Sequence, residues 1–262
     1  MHKIKFSILI ANYNNEEYIL RCVESCVKQN FIEKYEIILI DDNSSDNSLQ
    51  KIDKFKNKIK IIKIKKSKNN LKFNTYFQLN TYFSGVLKAK GEIICFLDSD
   101  DYFKKNKLSE INNHFLKNNN LEIIFDNPII IDKKKKIYLK KNFFGFRKNK
   151  WASFPPQSCI SIKKEVLHNF KKILFQKKFP LTTLDFRIAS LAELKKSNTL
   201  FLKKQLTYYF QHPNNESNKN FRKLNKNWLK RRLEAYEYFS IVNKKSFKTI
   251  DYYLTTFINY FI

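Results

Sequence analysis

Glycine is scarce in this chain of 262 residues, in which it occurs only as Gly85, Gly91 and Gly145. A Walker-type phosphate loop and the Gly-rich dinucleotide fingerprint each need closely spaced glycines, so neither can be built from this sequence. The four cysteines are too few for a disulfide-stapled secreted module of this length. Free cysteines commonly pack as small hydrophobic side chains, and we interpret Cys22 and Cys26 as buried thiols on the apolar face of a helix.

Acidic residues are also few, because 24 Asp and Glu stand against 51 Lys and Arg, which gives a formal net charge of +27. Such a charge suits a polyanionic partner, either nucleic acid or an anionic membrane. Only six of the basic residues are Arg, the side chain favoured for recognising phosphate. We therefore interpret most of the excess Lys as compositional drift and expect no nucleic-acid partner. A basic nucleic-acid-binding protein is the alternative that would explain the charge directly.

Long apolar runs are missing as well, since no stretch of about 18 uninterrupted apolar residues, enough for a membrane span, occurs in the chain. The first residues lack the long apolar segment and small-residue cleavage site of a secretory signal. The expected location is therefore cytoplasmic. The hydrophobic content of 43% excludes a disordered polyelectrolyte. The length fits either one large α/β domain or one domain with a helical appendix.

The first 126 residues alternate between strand and helix patterns. Apolar runs end at Ile10, Ile40 and Leu97, and helical periodicity follows each of them. Repeated βα units predict a mostly parallel sheet with helices on both faces, and the helix before the last of these runs is expected to end at Gly91 as its C-cap. A small antiparallel portion is predicted further on, with a hairpin over 129–139, short strands over 159–162 and 206–210, and a helix over 181–195.

Acidic clusters follow the second and fourth predicted strands. These are Asp41 and Asp42 in one case and Asp98, Asp100 and Asp101 in the other. The carboxyl ends of parallel strands meet at one rim of a sheet, where ligands bind. Neighbouring carboxylates repel each other unless a cation is close, and their oxygens suit Mg²⁺ or Mn²⁺, which also bind substrate phosphates. We predict a metal–phosphate site at this rim; helix capping by single acids is the simpler alternative.

These motifs resemble glycosyltransferase family 2, the inverting nucleotide-sugar transferases of the GT-A fold. The resemblance implies an α/β GT-A sheet and a metal-assisted transfer of sugar, with inversion, to an acceptor hydroxyl. The donor would be a nucleotide-sugar, most often a UDP-sugar, and the acceptor a saccharide or lipid-linked saccharide in cell-surface polysaccharide or glycolipid synthesis. The segments that carry the resemblance are Phe6–Asn14, Ile37–Asp46, Ala89–Asp101, Leu184–Ala189 and Leu206–His212.

The resemblance also implies roles for individual residues. Ala11 and Tyr13 would line the nucleobase pocket, and Asp42 would accept a hydrogen bond from the base. Asp98 would contact the ribose or the surroundings of the metal. Asp100 would coordinate a divalent ion, Mn²⁺ or Mg²⁺.

The remaining roles include the general base, Asp185, which would deprotonate the acceptor hydroxyl. Asp101 would contact the metal-binding residues without binding the metal itself, or it would cap a helix. The chain departs from the family at two places: Leu184 replaces the usual Glu before the base, and Tyr82 lies in an aromatic stretch where the family usually carries Gly and Arg. His212 is similar to a histidine found after the closing strand in some members, and it is not counted among the predicted site residues.

The expected organisation is a GT-A domain over residues 1–212, with a nucleotide-binding part over 1–126 and an acceptor part over 127–212, and a basic, aromatic helical extension over 213–262. Two interpretations of the extension are open: it lies on the anionic inner face of the membrane, or it packs its aromatic side chains on the domain. The rival enzyme class is a nucleotidyltransferase acting on sugar phosphates, which also uses paired carboxylates and a metal. Such enzymes usually carry a Gly-rich, basic N-terminal loop, and residues 11–15 do not form one.

Overall fold

One β-sheet organises the chain, and its strands follow the apolar runs of the sequence. The computed structural model describes residues 3–64, 74–132, 137–138, 154–212, 215 and 225–261. Within these ranges the strands are β1 (Phe6–Asn12), β2 (Tyr35–Asp41), β3 (Lys60–Lys63), β4 (Ile93–Asp98), β5 (Tyr102–Phe103), β6 (Ile123–Asp132), β7 (Ile137–Tyr138), β8 (Ile160–Lys163) and β9 (Thr199–Gln211). The α-helices are α1 (Ile19–Val27), α2 (Ser48–Lys51), α3 (Asn74–Lys88), α4 (Lys107–Lys117), α5 (Lys164–Asn169), α6 (Lys171–Leu174), α7 (Leu184–Leu194), α8 (Lys226–Asn243) and α9 (Ile250–Phe261).

The sheet has a parallel half and an antiparallel portion. Its strand order is β3-β2-β1-β4-β8-β6-β9-β5, with β7 paired to β6. Strands β3, β2, β1 and β4 run parallel, and β8 joins β4 to β6 through antiparallel pairs on both sides. Strand β9 is parallel to β6 and antiparallel to β5. The predicted α/β fold class, a mostly parallel sheet with an antiparallel portion, is confirmed.

The register of the parallel strands brings their carboxyl ends to one rim. Asn12 at the end of β1 is level with Asp41 at the end of β2. On the other side of β1, Ala11 is level with Asp98, the last residue of β4. The acidic clusters that the sequence separates by more than fifty positions are therefore neighbours across β1.

Helices cover both faces of the sheet because each presents an apolar stripe. On one face α1 and α4 pack on the strands, and Cys22 and Cys26 are fully buried free thiols in that layer, as predicted. On the other face α3, α5 and α7 form the second layer, with Tyr82 and Leu184 buried in it. The rim with the acids lies at the edge of these two layers.

Two local predictions differ from the structure. Strand β9 has 13 residues instead of the predicted five, because it pairs along almost its whole length with β6 and turns the exposed Lys203 and Lys204 outward. Gly91 does not cap α3 in a left-handed conformation, since its φ is not positive. It lies against β1 instead, where an added Cβ would come within 2.4 Å of the Ser7 backbone nitrogen.

The described part of the C-terminal extension is helical, as predicted. The aromatic side chains of α8 pack on the domain: Tyr238 and Phe239 join Phe179 and Phe186 in a third apolar cluster beside α7. Helix α9 packs on α8, and the rings of Tyr236 and Tyr252 lie 5.6 Å apart. None of the helices in the described ranges has the length and apolar content needed to cross a membrane. The tip of the predicted hairpin and most of 213–224 lie outside the described residues.

A fully buried ion pair lies beneath the acidic rim. Lys107 Nζ donates to Asp126 Oδ2 at 2.7 Å, and neither side chain is exposed to solvent. The same ammonium group donates to the Ser158 carbonyl oxygen at 2.8 Å and to Thr207 Oγ1 at 2.7 Å. Burial raises the pKa of Asp126, and the neighbouring Lys107 charge acts against that rise. This network fastens α4, β6, β9 and the turn before β8 to one another.

Lys107→Met is expected to lower the free energy of unfolding by about 3–5 kcal/mol, because it leaves the Asp126 carboxylate buried without its cation. Lys117→Met, on the exposed side of the same helix, is expected to change it by less than about 0.5 kcal/mol. Urea unfolding followed by circular dichroism measures both variants. Equal stabilities of the two variants would contradict a stabilising role for the buried pair.

Candidate active site

The loops after β1 and β2 are fastened to each other by hydrogen bonds. Asn12 Nδ2 donates to Asp41 Oδ1 at 2.8 Å. The Ser44 hydroxyl donates to the same carboxylate oxygen at 2.6 Å and accepts from the backbone N–H of Asn14 at 3.0 Å. Since Asp41 is buried and its oxygens bind these loop groups, it holds the two loops together.

Three of the predicted nucleotide-binding residues lie in this loop pair or in the strand end beside it. Ala11 is partly buried near the end of β1. The Tyr13 ring is 46% exposed, so it is accessible to a ligand. The backbone N–H of Asp42 donates to the Asn12 carbonyl oxygen at 2.9 Å, and Asp42 itself is partly exposed. The structure thus brings Ala11, Tyr13 and Asp42 to one edge of the sheet.

Asp98 is held by two neutral donors from α3. Its Oδ1 accepts from Gln78 Nε2 at 2.7 Å and from the Tyr82 hydroxyl at 2.7 Å. Burial is the main cause that raises the pKa of Asp98 to about 7, and the negative charges of Asp100 and Asp185 add to the rise. A cation beside this carboxylate would favour its charged form.

Asp100 is contacted by groups that follow β9. Its Oδ2 lies 3.0 Å from His212 Nε2 and accepts from Asn215 Nδ2 at 3.1 Å. The His212 ring packs 4.9 Å from the Tyr18 ring. The Asp100 carbonyl oxygen accepts from Arg21 Nη2 at 3.2 Å. The backbone carbonyl and the carboxylate of Asp100 are therefore both held in place, and its Oδ2 contacts the His212 imidazole.

Asp101 is buried and connects three segments. Its Oδ2 accepts from the Ser158 hydroxyl at 2.5 Å, and its Oδ1 accepts from the Phe210 backbone N–H at 2.8 Å. The Ser158 hydroxyl also accepts from the Asp98 backbone N–H at 3.0 Å. Burial, together with the charges of Asp100 and Asp98, raises the pKa of Asp101 well above its usual range. Asp101 does not cap a helix, which was one of its two expected roles, because its oxygens hold this loop in place.

Asp185 is the second residue of α7, where the sequence placed it near a helix start. Its Oδ1 accepts from the Phe186 backbone N–H at 2.7 Å. Burial raises the pKa of Asp185, while a hydrogen bond from Thr183 and the charge of Arg231 act against the rise. Arg231 of α8 also donates to Thr183 Oγ1 at 3.3 Å, so the C-terminal extension contacts the start of this helix. A carboxyl with a raised pKa is a stronger base.

The electrostatics of the Tyr209 side chain are affected by four carboxylates. Burial is the main cause that raises the pKa of Tyr209, and the charges of Asp101, Asp100, Asp98 and Asp185 raise it further. Strand β9 also contacts the acids directly, because the backbone N–H of Phe210 donates to Asp101 Oδ1 at 2.8 Å. The charge of Asp185 acts on both Asp98 and Tyr209.

The ligands that the predicted divalent ion needs can be compared with the side chains around Asp100. Asp100 and His212 offer an oxygen and a nitrogen ligand. Among the residues that the structure describes, no group of three or more His, Cys, Asp or Glu is arranged to hold a metal ion. At phosphate-transfer sites Mg²⁺ is usually bound by one or two carboxylates, with waters and substrate phosphates as its other ligands. These residues fit an ion that is bound jointly with a diphosphate.

Several groups at this site were not among the predicted residues. His212 had a signal, its position after the closing strand, whereas Ser158 and Asn215 reach the acids only through the sheet order and had none. Gln78 and Tyr82 are polar groups one helical turn apart on a largely apolar helix, which is a recognisable pattern. The chain thus offers a phenol and an amide to Asp98.

The model of Glycosyl transferase family 2 matches residues 7–180, which is more than half of the chain. The fold is an α/β sheet of the GT-A type, with acidic residues at the carboxyl ends of its parallel strands. The chain belongs to glycosyl transferase family 2. The predicted family, a family of glycosyltransferases, is confirmed.

Three curated relatives illustrate the similarity. The poly(ribitol-phosphate) beta-N-acetylglucosaminyltransferase TarS of Staphylococcus aureus is 34% identical over 116 residues, which is 41% of this chain and 18% of TarS. An uncharacterized glycosyltransferase of Nostoc is 30% identical over 201 residues, 71% of this chain and 56% of that protein. The minor teichoic acid biosynthesis protein GgaA of Bacillus subtilis is 38% identical over 124 residues, 45% of this chain and 26% of GgaA. The chain matches less than two thirds of the length of each.

Solved structures share the fold. Residues 1–349 of Staphylococcus aureus TarS in complex with UDP-GlcNAc align with a TM-score of 0.67 at 17% identity, covering 98% of this chain and 70% of the other. A mannosyltransferase of Pyrobaculum calidifontis in complex with GDP-Man and Mn²⁺ aligns with a TM-score of 0.61 at 10% identity, covering 99% and 74%. At such identities the likeness shows the fold, and the predicted GT-A fold is confirmed.

Proposed function

We propose that this chain transfers a sugar, with inversion, from a nucleotide-sugar to an acceptor hydroxyl. The observation that carries the proposal is the position of Asp98 and Asp100 at the end of β4, on the rim of the sheet beside Ala11 of β1. The charges of Asp100 and Asp185 both raise the pKa of Asp98. Carboxylates gathered in a partly buried place serve a reaction that needs both a base and a positively charged ligand.

The donor is proposed to be a UDP-sugar bound across the loops after β1 and β2. The exposed Tyr13 ring would pack on the uracil beside Ala11, and Asp42 would accept a hydrogen bond from the base. Asp98, held through Oδ1 by α3, would contact the ribose with its other oxygen. The complexes of TarS with UDP and with UDP-GlcNAc support this choice of donor.

Asp185 is proposed to act as the general base. Its carboxylate accepts the proton of the acceptor hydroxyl while that oxygen forms a bond to the anomeric carbon. The bond from this carbon to the diphosphate oxygen breaks on the opposite face of the sugar, so the configuration inverts and the nucleoside diphosphate leaves with the bonding electrons. Asp100, with His212 beside it, would hold a divalent ion, Mn²⁺ or Mg²⁺, which when bound supplies charge neutralisation for the diphosphate.

The acceptor is proposed to be a saccharide or a lipid-linked saccharide of a cell-surface polysaccharide or glycolipid. The names of TarS and GgaA, which place those proteins in poly(ribitol-phosphate) glycosylation and minor teichoic acid synthesis, support such a context. The strongly basic chain, at +27, is complementary to an anionic polymer.

Residues 1–212 would form the transferase domain, with donor binding in 1–126 and acceptor binding in 127–212, and residues 213–262 would form the extension.

A thermal-shift screen of nucleotide-sugars with and without Mn²⁺ tests the donor. A UDP-sugar at one hundred times its Kd is expected to add about 2.7 kcal/mol of stability, which raises Tm by about 5–10 °C for a chain of this size. GDP-mannose serves as the comparison ligand, and UDP alone separates base recognition from sugar recognition. Equal shifts with uridine and guanosine donors, or none with either, would contradict the proposal.

A further inference from the structure

Helix α9 presents an aromatic stripe to solvent. Its members recur at helical spacing and are between 55% and 85% exposed. The opposite side of the helix faces α8, where Thr255 is buried. Other large exposed apolar side chains, such as Leu87 and Leu116, are scattered over the domain, and isolated ones are normal. The aromatic stripe consists of Ile250, Tyr253, Leu254, Phe257, Tyr260 and Phe261.

The charges around the aromatic stripe are positive. The turn that leads into α9 carries three exposed lysines, Lys244, Lys245 and Lys248. The one acid of α9, Asp251, forms an ion pair with Arg232 of α8 and accepts a hydrogen bond from the Tyr236 hydroxyl. Its negative charge is thus compensated within the helix pair. Residues 225–261 hold seven Lys and Arg against three Asp and Glu.

We propose that the aromatic stripe and the three lysines of the turn bind the surface of an anionic lipid bilayer, with α9 lying in the plane of the interface. An apolar face rich in Tyr and Phe with Lys beside it is the pattern of an interfacial helix, and each Lys near an anionic surface adds to the attraction. The 12 residues of α9 extend about 18 Å, so α9 lies on a membrane and does not cross it.

Charge favours lipid over a second copy of the chain as the occupant. A twofold contact through the aromatic stripe would place identical patches together, and with them the lysine turns of two chains that each carry +27. Like charges brought together disfavour such a contact. Anionic phospholipid is complementary to the same lysines. The proposal is independent of sugar transfer, because α9 holds none of the proposed site residues.

Co-sedimentation with vesicles tests the proposal on the full chain. Wild type is expected to bind vesicles of phosphatidylglycerol and phosphatidylcholine at least about tenfold more tightly than pure phosphatidylcholine. Leu254→Ser/Phe257→Ser is expected to weaken that binding at least about tenfold, whereas the matched control Leu87→Ser/Leu116→Ser leaves it unchanged. Lys244→Glu/Lys245→Glu is expected to remove the preference for anionic lipid, and the exposed pair Lys56→Glu/Lys58→Glu is the control.

Thermal shifts with UDP-sugars on the same variants check that the domain is intact, since the proposed donor site lies elsewhere. Vesicle binding that is equal in wild type and in Leu254→Ser/Phe257→Ser overturns the proposal. A second outcome also overturns the proposal: wild type binds no vesicles, and sedimentation velocity shows an oligomer that only this variant converts to a monomer. The aromatic stripe would then contact a second copy of the chain.

Discussion

Asp100→Asn is expected to lower the rate of sugar transfer by at least about a hundredfold, because the proposed divalent ion loses its carboxylate ligand and the departing diphosphate loses charge neutralisation. The substitution keeps the shape of the side chain, and Asn can still accept a hydrogen bond where Asp100 now meets Asn215 and His212. Release of UDP from a UDP-sugar in the presence of acceptor measures the rate.

Stability is not expected to fall with activity in this variant. The charge of Asp100 raises the pKa of both Asp98 and Asp101, so its removal relieves repulsion and Tm should stay constant or rise. The exposed Asp53→Asn is the matched control, with unchanged rate. Full activity of Asp100→Asn would refute its assignment as the metal ligand, and a large loss of Tm would make the residue structural.

Asp185→Asn is expected to lower turnover by about 10²–10⁴-fold, the usual range for loss of a general base. Donor binding should be retained, since the proposed nucleotide contacts lie on other loops. The measurement therefore pairs the turnover rate with the thermal shift given by a UDP-sugar.

Glu193→Gln, on the same helix and also a carboxylate-to-amide change, is the control for Asp185→Asn. Glu193 pairs with Lys196 near the end of α7, away from the start of that helix. Loss of both turnover and donor binding in Asp185→Asn would point to a structural role, and unchanged turnover would assign the base to another group.

The parallel half of the fold was predictable because its signals are local. Apolar runs indicated β1, β2 and β4. Apolar residues at helical spacing, such as Cys22 and Cys26, indicated the helices that pack on these strands. The length of β9 was not predictable, since Lys203 and Lys204 interrupt its apolar pattern and only pairing with β6 extends the strand. Sheet pairing between distant segments is decided by tertiary contacts that a local pattern does not contain.

The residues of the candidate site also fall into two groups: those that a local sequence pattern indicates and those that depend on tertiary contacts. Asp98 and Asp100 were proposed from their position after an apolar strand, and these two and Asp185 also from the family resemblance. The roles of all three stay predictions. Ser158 was not predictable, because its role depends on folding 57 positions away onto Asp101. Leu184 now has a physical explanation: it is 1% exposed in an apolar cluster beneath α7, where burial of a charged acid would cost free energy.

The Ser158 contacts also bear on how the chain could be divided. A fragment ending at residue 126 would keep every predicted nucleotide-binding residue, yet it would lose Ser158 and Phe210, which together satisfy Asp101. A buried acid without its donors destabilises a fold. The part of the chain after residue 126 therefore helps to build the acidic rim of the first part. Exchange of these two parts between family members would need a hydroxyl at residue 158 and a β9 that places the backbone N–H of residue 210 on Asp101.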